Sequence, residues 1–269
     1  MDSAHLLAQP GHRTNRFALP GGGLHHDRGG FIAVQTPANP SFWYGHRLIL
    51  PASPWIEGLA VWRRRWLAEN PDPQRRPPRA YLSWECPAPD PESVARATDE
   101  EIALDEQVIR VHRGPPPQLP PPPPGLALRP LAGDAEWGAI TAISARAFDD
   151  PIDFLTWDHA DRRARVERGR GVEWGAFLDG RLVGHCGLMW GEGEARFQDV
   201  AVDPAAQGRR IAAYLIAAAL ADHAARHPGA PAWIVAELDS RAGRIYEALG
   251  FVTASWGYDL ALPITDRSR

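Results

Sequence analysis

The residues with the clearest capacity for chemistry lie where a strand turns into an alanine-rich helix. A strand over 200–202 ends at a proline, and small residues then lead into the helix. Backbone amides at the start of a helix lie at its positive end and attract phosphate groups. Gly208 and Ala212 leave room for close backbone approach, while Arg209 and Arg210 add charge suited to phosphate oxygens. The sequence therefore predicts a pyrophosphate-binding turn.

A second segment with chemical potential begins at Asp239 and leads into a helix over 240–249. Gly250 follows as the residue after the helix end. The phenol of Tyr246 in this helix is a candidate proton donor. The alternative is a structural tyrosine, because one helical stripe contains Ala242, Ile245, Tyr246 and Leu249.

The two segments together resemble the motifs of the GCN5-related N-acetyltransferases, the GNAT superfamily. The first resembles motif A, Gln/Arg-x-x-Gly-x-Gly/Ala after a Val-x-Val-x-Pro strand, with Gln207 at its first position and Ala212 at its last. Arg210 stands where the family usually has Gly. In the second, Asp239 replaces the Asn of motif B, Asn-x-x-Ala-x-x-x-Tyr-x-x-x-Gly-Phe. The resemblance spans about residues 126–262 and implies the α/β GNAT fold with a mixed sheet.

This resemblance implies an acetyltransferase that uses acetyl-CoA as co-substrate and a primary amine as acceptor, with direct attack in a ternary complex. The backbone N–H of Val200 would face the thioester carbonyl as an oxyanion donor. Tyr246 would be the general acid. The residues expected to contact the co-substrate are Val200, Ala201, Val202, Gln207, Gly208, Arg209, Arg210, Ile211, Ala212, Ala213, Asp239 and Tyr246.

The general base and the acceptor contacts are sought on the strand before the turn. Strand alternation places Glu194, Arg196, Gln198, Val200 and Val202 on one face and directs Asp199 to the other. Glu194 is therefore the candidate base, with a solvated carboxylate at the strand entrance as the alternative. Arg196 and Gln198 are expected on the acceptor side. Arg196 could bind an acceptor carboxylate or pair with a local acid.

The elements that must position these residues follow an alternating pattern in the C-terminal half. Asp179-Gly180 predicts a hairpin, so the sheet is expected to be mixed rather than purely parallel. The predicted order is β-α-α-β-β-β-α-β-α-β. Its segments are 126–131, 135–148, 152–168, 172–178, 181–190, 196–202, 207–226, 233–238, 240–249 and 251–262.

Proline divides the chain. Of 27 prolines, 21 fall within the first 125 residues, and eight of the eleven positions from 114 to 124 are proline. Such a run favours polyproline II and excludes helix and central strand. The predicted organisation is therefore an N-terminal domain over 1–113, a proline-rich linker over 114–125 and a catalytic domain over 126–269.

The N-terminal half has a resemblance of its own. Asn39-Pro40-Ser41-Phe42-Trp43-Tyr44-Gly45, followed by Leu48-Ile49-Leu50-Pro51, resembles the leading half of two-domain bacterial acetyltransferases, in which the first half is a degenerate copy of the fold. This half contains no Gln/Arg-x-x-Gly-x-Gly/Ala turn, so it is expected to bind no co-substrate. Packing, lining of the acceptor cleft and self-association into a homodimer are the roles considered for it.

Composition excludes several other classes of function. The 29 basic residues are all arginine, so no lysine can form a Schiff base or serve a Walker A loop. Net charge is −4, which argues against nucleic-acid and membrane partners. The two cysteines and the lack of a signal-peptide pattern favour the cytoplasm. No metal is expected, because the pair His223 and His227 has no third ligand.

Two rival functions use other features of the sequence. A non-catalytic acyl-CoA sensor or partner-binding protein would accommodate the departures at Arg210 and Asp239. A nucleic-acid binder would use the arginines within 63–65 and 75–79, for which a solvated helix face is the simpler interpretation. Steep salt dependence of binding would identify the nucleic-acid binder.

Overall fold

The computed structural model describes residues 3–18, 23–37, 39, 42–148 and 150–264. The chain divides into two compact units. Unit 1 comprises residues 1–109, 235–240 and 253–269, and unit 2 comprises residues 110–234 and 241–252.

The helices and strands follow one another in this chain order: α1 (Ala4–Ala8), α2 (Pro10–Ala18), β1 (Leu24–Asp27), β2 (Ile32–Gln35), a 3-10 turn (Trp43–Gly45), β3 (Arg47–Ile49), α3 (Leu59–Glu69), β4 (Arg79–Cys86), α4 (Pro91–Asp99), β5 (Ala103–His112), β6 (Leu126–Pro130), α5 (Gly133–Phe148), α6 (Ile152–Glu167), β7 (Gly171–Leu178), β8 (Arg181–Gly191), β9 (Glu194–Val202), a second 3-10 turn (Pro204–Ala206), α7 (Ile211–Arg226), β10 (Ala232–Glu237), α8 (Arg241–Ala248) and β11 (Val252–Pro263).

In unit 1 the strands are arranged in the order β1-β2-β3-β4-β11-β5. β3 and β4 run parallel and are joined through α3, while β4 pairs antiparallel with β11 from Cys86–Trp256 to Arg79–Pro263. The core contains Trp62 and Trp66 of α3 and a stack of Trp84 on Tyr258, whose ring centroids are 5.1 Å apart. Burial of these large aromatic surfaces stabilises this unit.

In unit 2 the strands follow the order β10-β9-β8-β7-β6. β9 and β10 run parallel, and the other neighbouring pairs are antiparallel. The apolar face of α7 (Ile211, Leu215, Ile216, Ala219 and Leu220) is buried. Each unit thus contains two parallel strands joined through a helix, β3–α3–β4 in one and β9–α7–β10 in the other.

The predicted order of elements in the C-terminal half is confirmed from β6 through β11. Residues 113–125 form neither helix nor strand, and the hydroxyl of Tyr214 in α7 donates a hydrogen bond to the Pro121 carbonyl at 3.2 Å. No helix among the described residues is long and apolar enough to cross a membrane.

Candidate active site

The strand β9 contains a β-bulge near its end. The β8–β9 register pairs Gly187 with Gln198 and His185 with Ala201, so Asp199 and Val200 together face Cys186 alone. Two residues opposite one define a bulge, which disturbs the alternation of side chains between the two faces. Asp199 has a backbone φ of 41°. The prediction that Asp199 points away from the site rests on uninterrupted alternation, and β9 lacks that alternation.

The turn after β9 exposes backbone to solvent. Gln207, Gly208, Arg209 and Arg210 are exposed, and α7 begins immediately afterwards at Ile211. No side chain caps the N-terminus of α7, so the first-turn amides keep their capacity to bind an anion. These features are the ones expected of the predicted pyrophosphate-binding turn.

Backbone conformation accounts for the two departures from the family motifs. Arg210, where the family has Gly, has a φ of 59°, and Asp239, where the family has Asn, has a φ of 56°. Gly adopts this left-handed region without strain, and Asn and Asp tolerate it better than other residues. Asp239 therefore keeps the backbone geometry at modest cost, whereas Arg210 is strained.

Local hydrogen bonds fix the turn between β9 and α7. The Asp203 carboxylate accepts a hydrogen bond from the amide of Ala205 at 3.0 Å and forms an ion pair with Arg146 at 2.7 Å. The side-chain amide of Gln207 donates to the Val202 carbonyl at 3.3 Å. The side chain of Gln207, the first residue of motif A, thus links the turn to the end of β9.

Tyr246 lies in the buried part of unit 2, with only 6% of its surface exposed. Burial, followed by the nearby Cys186, raises the pKa of its phenol well above the ordinary value. Arg110 and Asp199 are close enough to influence the same group. The phenol of Tyr246 therefore keeps its proton throughout the physiological pH range.

Glu194 does not fit the predicted role of general base. Its side chain is buried, and its carboxylate accepts a hydrogen bond from the Trp233 indole at 2.6 Å. Glu194 and Val200 lie six residues apart, which corresponds to about 20 Å along a strand. The expectation of a solvated carboxylate is also wrong, because the indole of β10 covers this end of β9.

The two residues predicted on the acceptor side differ in exposure. Arg196 is buried, with 7% of its surface exposed, and pairs with Trp233 in the β9–β10 register. Gln198 is half-buried and is the last regularly paired residue before the bulge. Gln198 is therefore next to the bulge, whereas Arg196 lies two residues further from it.

A network of charged side chains that motif reasoning missed lies against the bulge. Arg162 of α6 donates a hydrogen bond to the Asp199 carboxylate at 2.5 Å and also binds Asp158. Its other terminal nitrogen is 3.7 Å from the Glu173 carboxylate of β7. The guanidinium therefore joins acidic groups from three different elements.

Two histidines extend this network. The Nδ1 atom of His185 forms a hydrogen bond with Glu173 at 2.7 Å, and its Nε2 atom forms one with the Ser144 hydroxyl at 2.9 Å. His159 approaches Asp199 from α6, and the two imidazole centroids are 5.7 Å apart. This buried His185 ring therefore has polar partners on both nitrogens, although the strand around it is largely apolar.

The Ser144, His185 and Glu173 chain has the connectivity of a nucleophilic triad, but its burial excludes that function. Ser144 and His185 have no exposed surface, and Glu173 has 1%. A nucleophilic serine must reach its substrate. We therefore regard this chain as a structural part of the network.

Charges in the network perturb one another. Burial would by itself raise the pKa of the Asp199 carboxyl, but the charge of Arg162 together with hydrogen bonding to Arg162 and His159 outweighs this effect and holds the pKa well below its usual range. Burial raises the pKa of Asp158 despite the same guanidinium. Burial, followed by the charge of Glu173, raises the pKa of the Cys186 thiol opposite the bulge.

Within the described residues, one group has the donor atoms and spacing of a metal site: Asp158, His159 and Asp199. Arg162 already binds both carboxylates of this group. A cation would have to displace a guanidinium that is already hydrogen-bonded to both carboxylates, so these residues do not fit a metal centre.

The sequence indicates individual residues of the network but not their contacts with one another. Asp158 and Arg162 are four residues apart in one helix, a spacing that allows an ion pair. Glu173 and His185 are polar residues within otherwise apolar strands. These signals could have identified buried polar groups, but their convergence on Asp199 depends on the bulge.

Unit 1 contains the same strand–helix–strand arrangement without an equivalent anion-binding turn. Its helix α3 begins after Gly58, whose φ is 92°, and has no side-chain cap. The preceding residue is Glu57, which pairs with Arg65 at 2.8 Å. A carboxylate at this position repels phosphate, in contrast to the arginines before α7.

Comparison with known proteins gives a family match within the C-terminal half. The family model described as Acetyltransferase (GNAT) domain matches residues 170–253. This range contains the bulged strand, the exposed turn, α7 and Tyr246. Comparison with curated protein sequences gives no significant match.

Several solved structures share the fold at low sequence identity. A GCN5-related N-acetyltransferase from Kribbella flavida has 18% identity and a TM-score of 0.61, covering 90% of both chains. A tandem GNAT protein from the clavulanic acid biosynthesis pathway has 18% identity and a TM-score of 0.58, covering 94% of this chain and 86% of its own. A functionally unknown conserved protein from Staphylococcus epidermidis has 13% identity and a TM-score of 0.63, covering 90% of this chain and 94% of its own.

These matches confirm the predicted α/β fold class and the resemblance based on the two motifs. Structures that include a tandem GNAT protein cover most of the chain, and the family match is confined to its C-terminal half. Residues 170–253 of this chain match the model of the GNAT acetyltransferase domain.

Proposed function

We propose that the protein is an N-acetyltransferase that transfers an acetyl group from acetyl-CoA to a primary amine. The observation that carries the proposal is the continuous arrangement of a bulged strand, an exposed turn and the uncapped N-terminus of α7. Backbone amides from Gly208 to Ala213 would bind the pyrophosphate, assisted by the side chains of Arg209 and Arg210. This arrangement requires no lysine.

In this proposal the residues of β9 hold the acyl end of acetyl-CoA. Ala201 and Val202 would pair with the pantetheine arm, and the N–H of Val200 would stabilise the developing oxyanion. The bulge supports this role, because Val200 has no register partner on β8. Gln198 and Arg196 remain candidates for acceptor contacts, with Gln198 favoured by its position beside the bulge.

Tyr246 is proposed to protonate the departing thiolate. Its raised pKa means that the phenol carries its proton at neutral pH. Glu194 has no role in the proposal. Gln207 is retained as a residue that shapes the turn before α7, and Asp239 as one that shapes the turn before α8.

The test combines binding with turnover. Acetyl-CoA binding is measured by calorimetry, and release of free CoA thiol is followed with a panel of amines that includes amino acids, polyamines and peptide N-termini. We expect at least one amine to be acetylated. Tight acetyl-CoA binding without turnover on any amine would instead identify the acyl-CoA sensor.

Replacing Tyr246 with Phe tests the assigned acid. We expect kcat to fall by about 10-fold to 100-fold, while the Kd of acetyl-CoA changes less than about threefold. Tyr214→Phe, which removes a hydroxyl that donates a hydrogen bond to the Pro121 carbonyl, is the matched control and should keep wild-type kcat. Equal kcat for both variants and wild type would remove Tyr246 from the mechanism.

A further inference from the structure

A surface cavity of about 210 Å³ lies in unit 1. The described residues that line it come from three segments: 35–37 at the end of β2, His46 before β3, and 70–76 after α3. Pockets for drug-sized ligands measure about 300 to 1,000 Å³, so this cavity fits a smaller molecule. Pro37 and Pro71 supply apolar wall, and the other lining side chains are polar or charged.

Two lining side chains have their amide nitrogens already bound and their amide oxygens left over. Gln35 donates to the Glu69 carbonyl at 2.6 Å, and Asn70 donates to the Trp66 carbonyl at 3.0 Å. No described residue donates a hydrogen bond to either amide oxygen. The oxygens are therefore what these two side chains can offer to a ligand, and both accept hydrogen bonds.

His46 and Asp72 add further acceptors to the same cavity. The Nε2 atom of His46 donates to the Asn39 carbonyl at 3.3 Å, so the Nδ1 atom of the neutral ring is an acceptor. One oxygen of the Asp72 carboxylate accepts from the amide of Gln74 at 2.9 Å, and the other has no partner among the described residues. The carbonyl end of α3 adds partial negative charge. Several acceptors with one formal negative charge suit an ammonium group.

Two guanidinium groups, those of Arg75 and Arg76, line the cavity as well. Within the described part of the chain, neither forms an ion pair with a carboxylate. Glu69 at the end of α3 is already occupied, because Arg28 donates to both of its carboxylate oxygens at 2.7 Å. Guanidinium groups bind carboxylates through strong, paired hydrogen bonds. This pair of arginines therefore suits a carboxylate brought by a ligand.

The loop that carries these charges is held by its own backbone. The amides of Arg75 and Arg76 donate to the Asp72 carbonyl at 3.2 and 3.0 Å. Prolines occupy positions 71, 73, 77 and 78, and each fixes its own φ angle. A loop restrained in this way loses little conformational freedom when a ligand binds.

We propose that this cavity binds a free α-amino acid. The carboxylate of the amino acid lies against Arg75 and Arg76, and its ammonium group lies against Asp72 and the amide oxygen of Asn70. A simple anion would satisfy only the arginines and would be repelled by Asp72. All of these residues belong to unit 1, so this binding does not depend on acetyl transfer in the C-terminal half.

The first experiment measures binding of each standard amino acid to the full-length protein by calorimetry, without acetyl-CoA. Any amino acid that binds is compared with its N-acetyl derivative, which lacks the ammonium group, and its carboxamide, which lacks the carboxylate. We expect each analogue to bind at least about 10-fold more weakly, because each loses a charged hydrogen-bonding group. Absence of binding by every amino acid up to about 10 mM, or tighter binding of inorganic phosphate, would overturn the assignment.

The second experiment locates the site with variants. Arg75→Ala and Arg76→Ala should each raise the Kd of the bound amino acid about 10-fold. Arg64→Ala removes the same charge from an exposed position of α3 outside the cavity, and it should keep the wild-type Kd. An unchanged Kd in folded Arg75→Ala and Arg76→Ala proteins would place the amino acid elsewhere and contradict the proposal, whether or not the protein is an acetyltransferase.

Asp72→Asn tests the contact with the ammonium group. Asparagine keeps an oxygen that can accept from the Gln74 amide but removes the negative charge. We expect the Kd of the free amino acid to rise about 10-fold, whereas binding of its N-acetyl derivative, which has no ammonium group, should not weaken. Equal weakening of both compounds would show that Asp72 does not contact the ammonium group.

Discussion

Arg210 has a left-handed backbone at the start of α7, with a φ of 59°. For a residue with a Cβ atom this conformation costs about 1 kcal/mol or more relative to glycine. The same side chain carries a positive charge next to the uncapped first turn. The protein therefore combines backbone strain with charge at the point where the proposed pyrophosphate would bind, as strained positions at functional sites often do.

Replacing Arg210 with Gly should separate these two effects. We expect the free energy of unfolding to rise by about 0.5 to 1 kcal/mol from relief of strain. The Kd of acetyl-CoA should increase several-fold, because one positive charge is lost. Chemical denaturation and calorimetry measure the two quantities.

The neighbouring Arg209→Gly variant is the control for this change. Arg209 is not among the positive-φ residues, so glycine should weaken acetyl-CoA binding without raising stability. If both variants changed stability equally, strain at position 210 would not account for the result.

Residue-level prediction succeeded where local pattern determines position. The turn before α7 and the helix containing Tyr246 follow from glycine, proline and apolar spacing. The burial of Glu194 could not be predicted, because its partner Trp233 lies 39 residues later and reaches it only through the pairing of β9 with β10. The bulge at Asp199 could not be predicted, because no glycine or proline marks it in β9.

At the scale of elements, close approach of β7 and β8 depends on Gly187. A Cβ atom at this position would lie 2.7 Å from the Glu173 carboxylate oxygen and 3.2 Å from Cδ of Arg162. The strand therefore needs a residue without a side chain where the charged network passes. The order of strands can be predicted from the hydrophobic pattern and the turns. The need for glycine at position 187 cannot, because it depends on side chains from α6 and β7.

We expect Gly187→Ala to destabilise the protein by about 1 to 3 kcal/mol, because the added methyl group displaces Glu173 from its partners. Thermal or chemical denaturation measures the change. Gly138→Ala is the matched control in α5, where a Cβ atom meets nothing within 4 Å. That variant should gain about 0.5 to 1 kcal/mol from helix propensity. A neutral Gly187→Ala would show that the network tolerates displacement.

At the scale of the whole molecule, unit 1 has its own sensitivity to pH. Burial, followed by the charge of Arg47, lowers the pKa of His12 in α2 to about 3. The fold therefore favours the neutral imidazole. Its contribution to stability is complete above the ordinary pKa of 6.5 and is lost as pH falls from there toward 3.

Replacing His12 with Leu should reduce the loss of stability on acidification. We expect the difference in melting temperature between pH 7.5 and pH 4.5 to be smaller in His12→Leu than in wild type, as measured by differential scanning calorimetry. His26→Leu in the half-buried strand β1 is the control and should retain the wild-type difference. An identical acid response in His12→Leu would show that other groups govern acid stability.

The pairing of β4 with β11 has a consequence for how the protein is made. The two strands are joined by register pairs such as Trp84 with Tyr258, which are separated by more than half of the chain. A ribosome synthesises β4 long before β11, so the edge of β4 has no strand partner from this chain during most of translation. The aromatic core of unit 1 therefore cannot be completed until β11 has been synthesised.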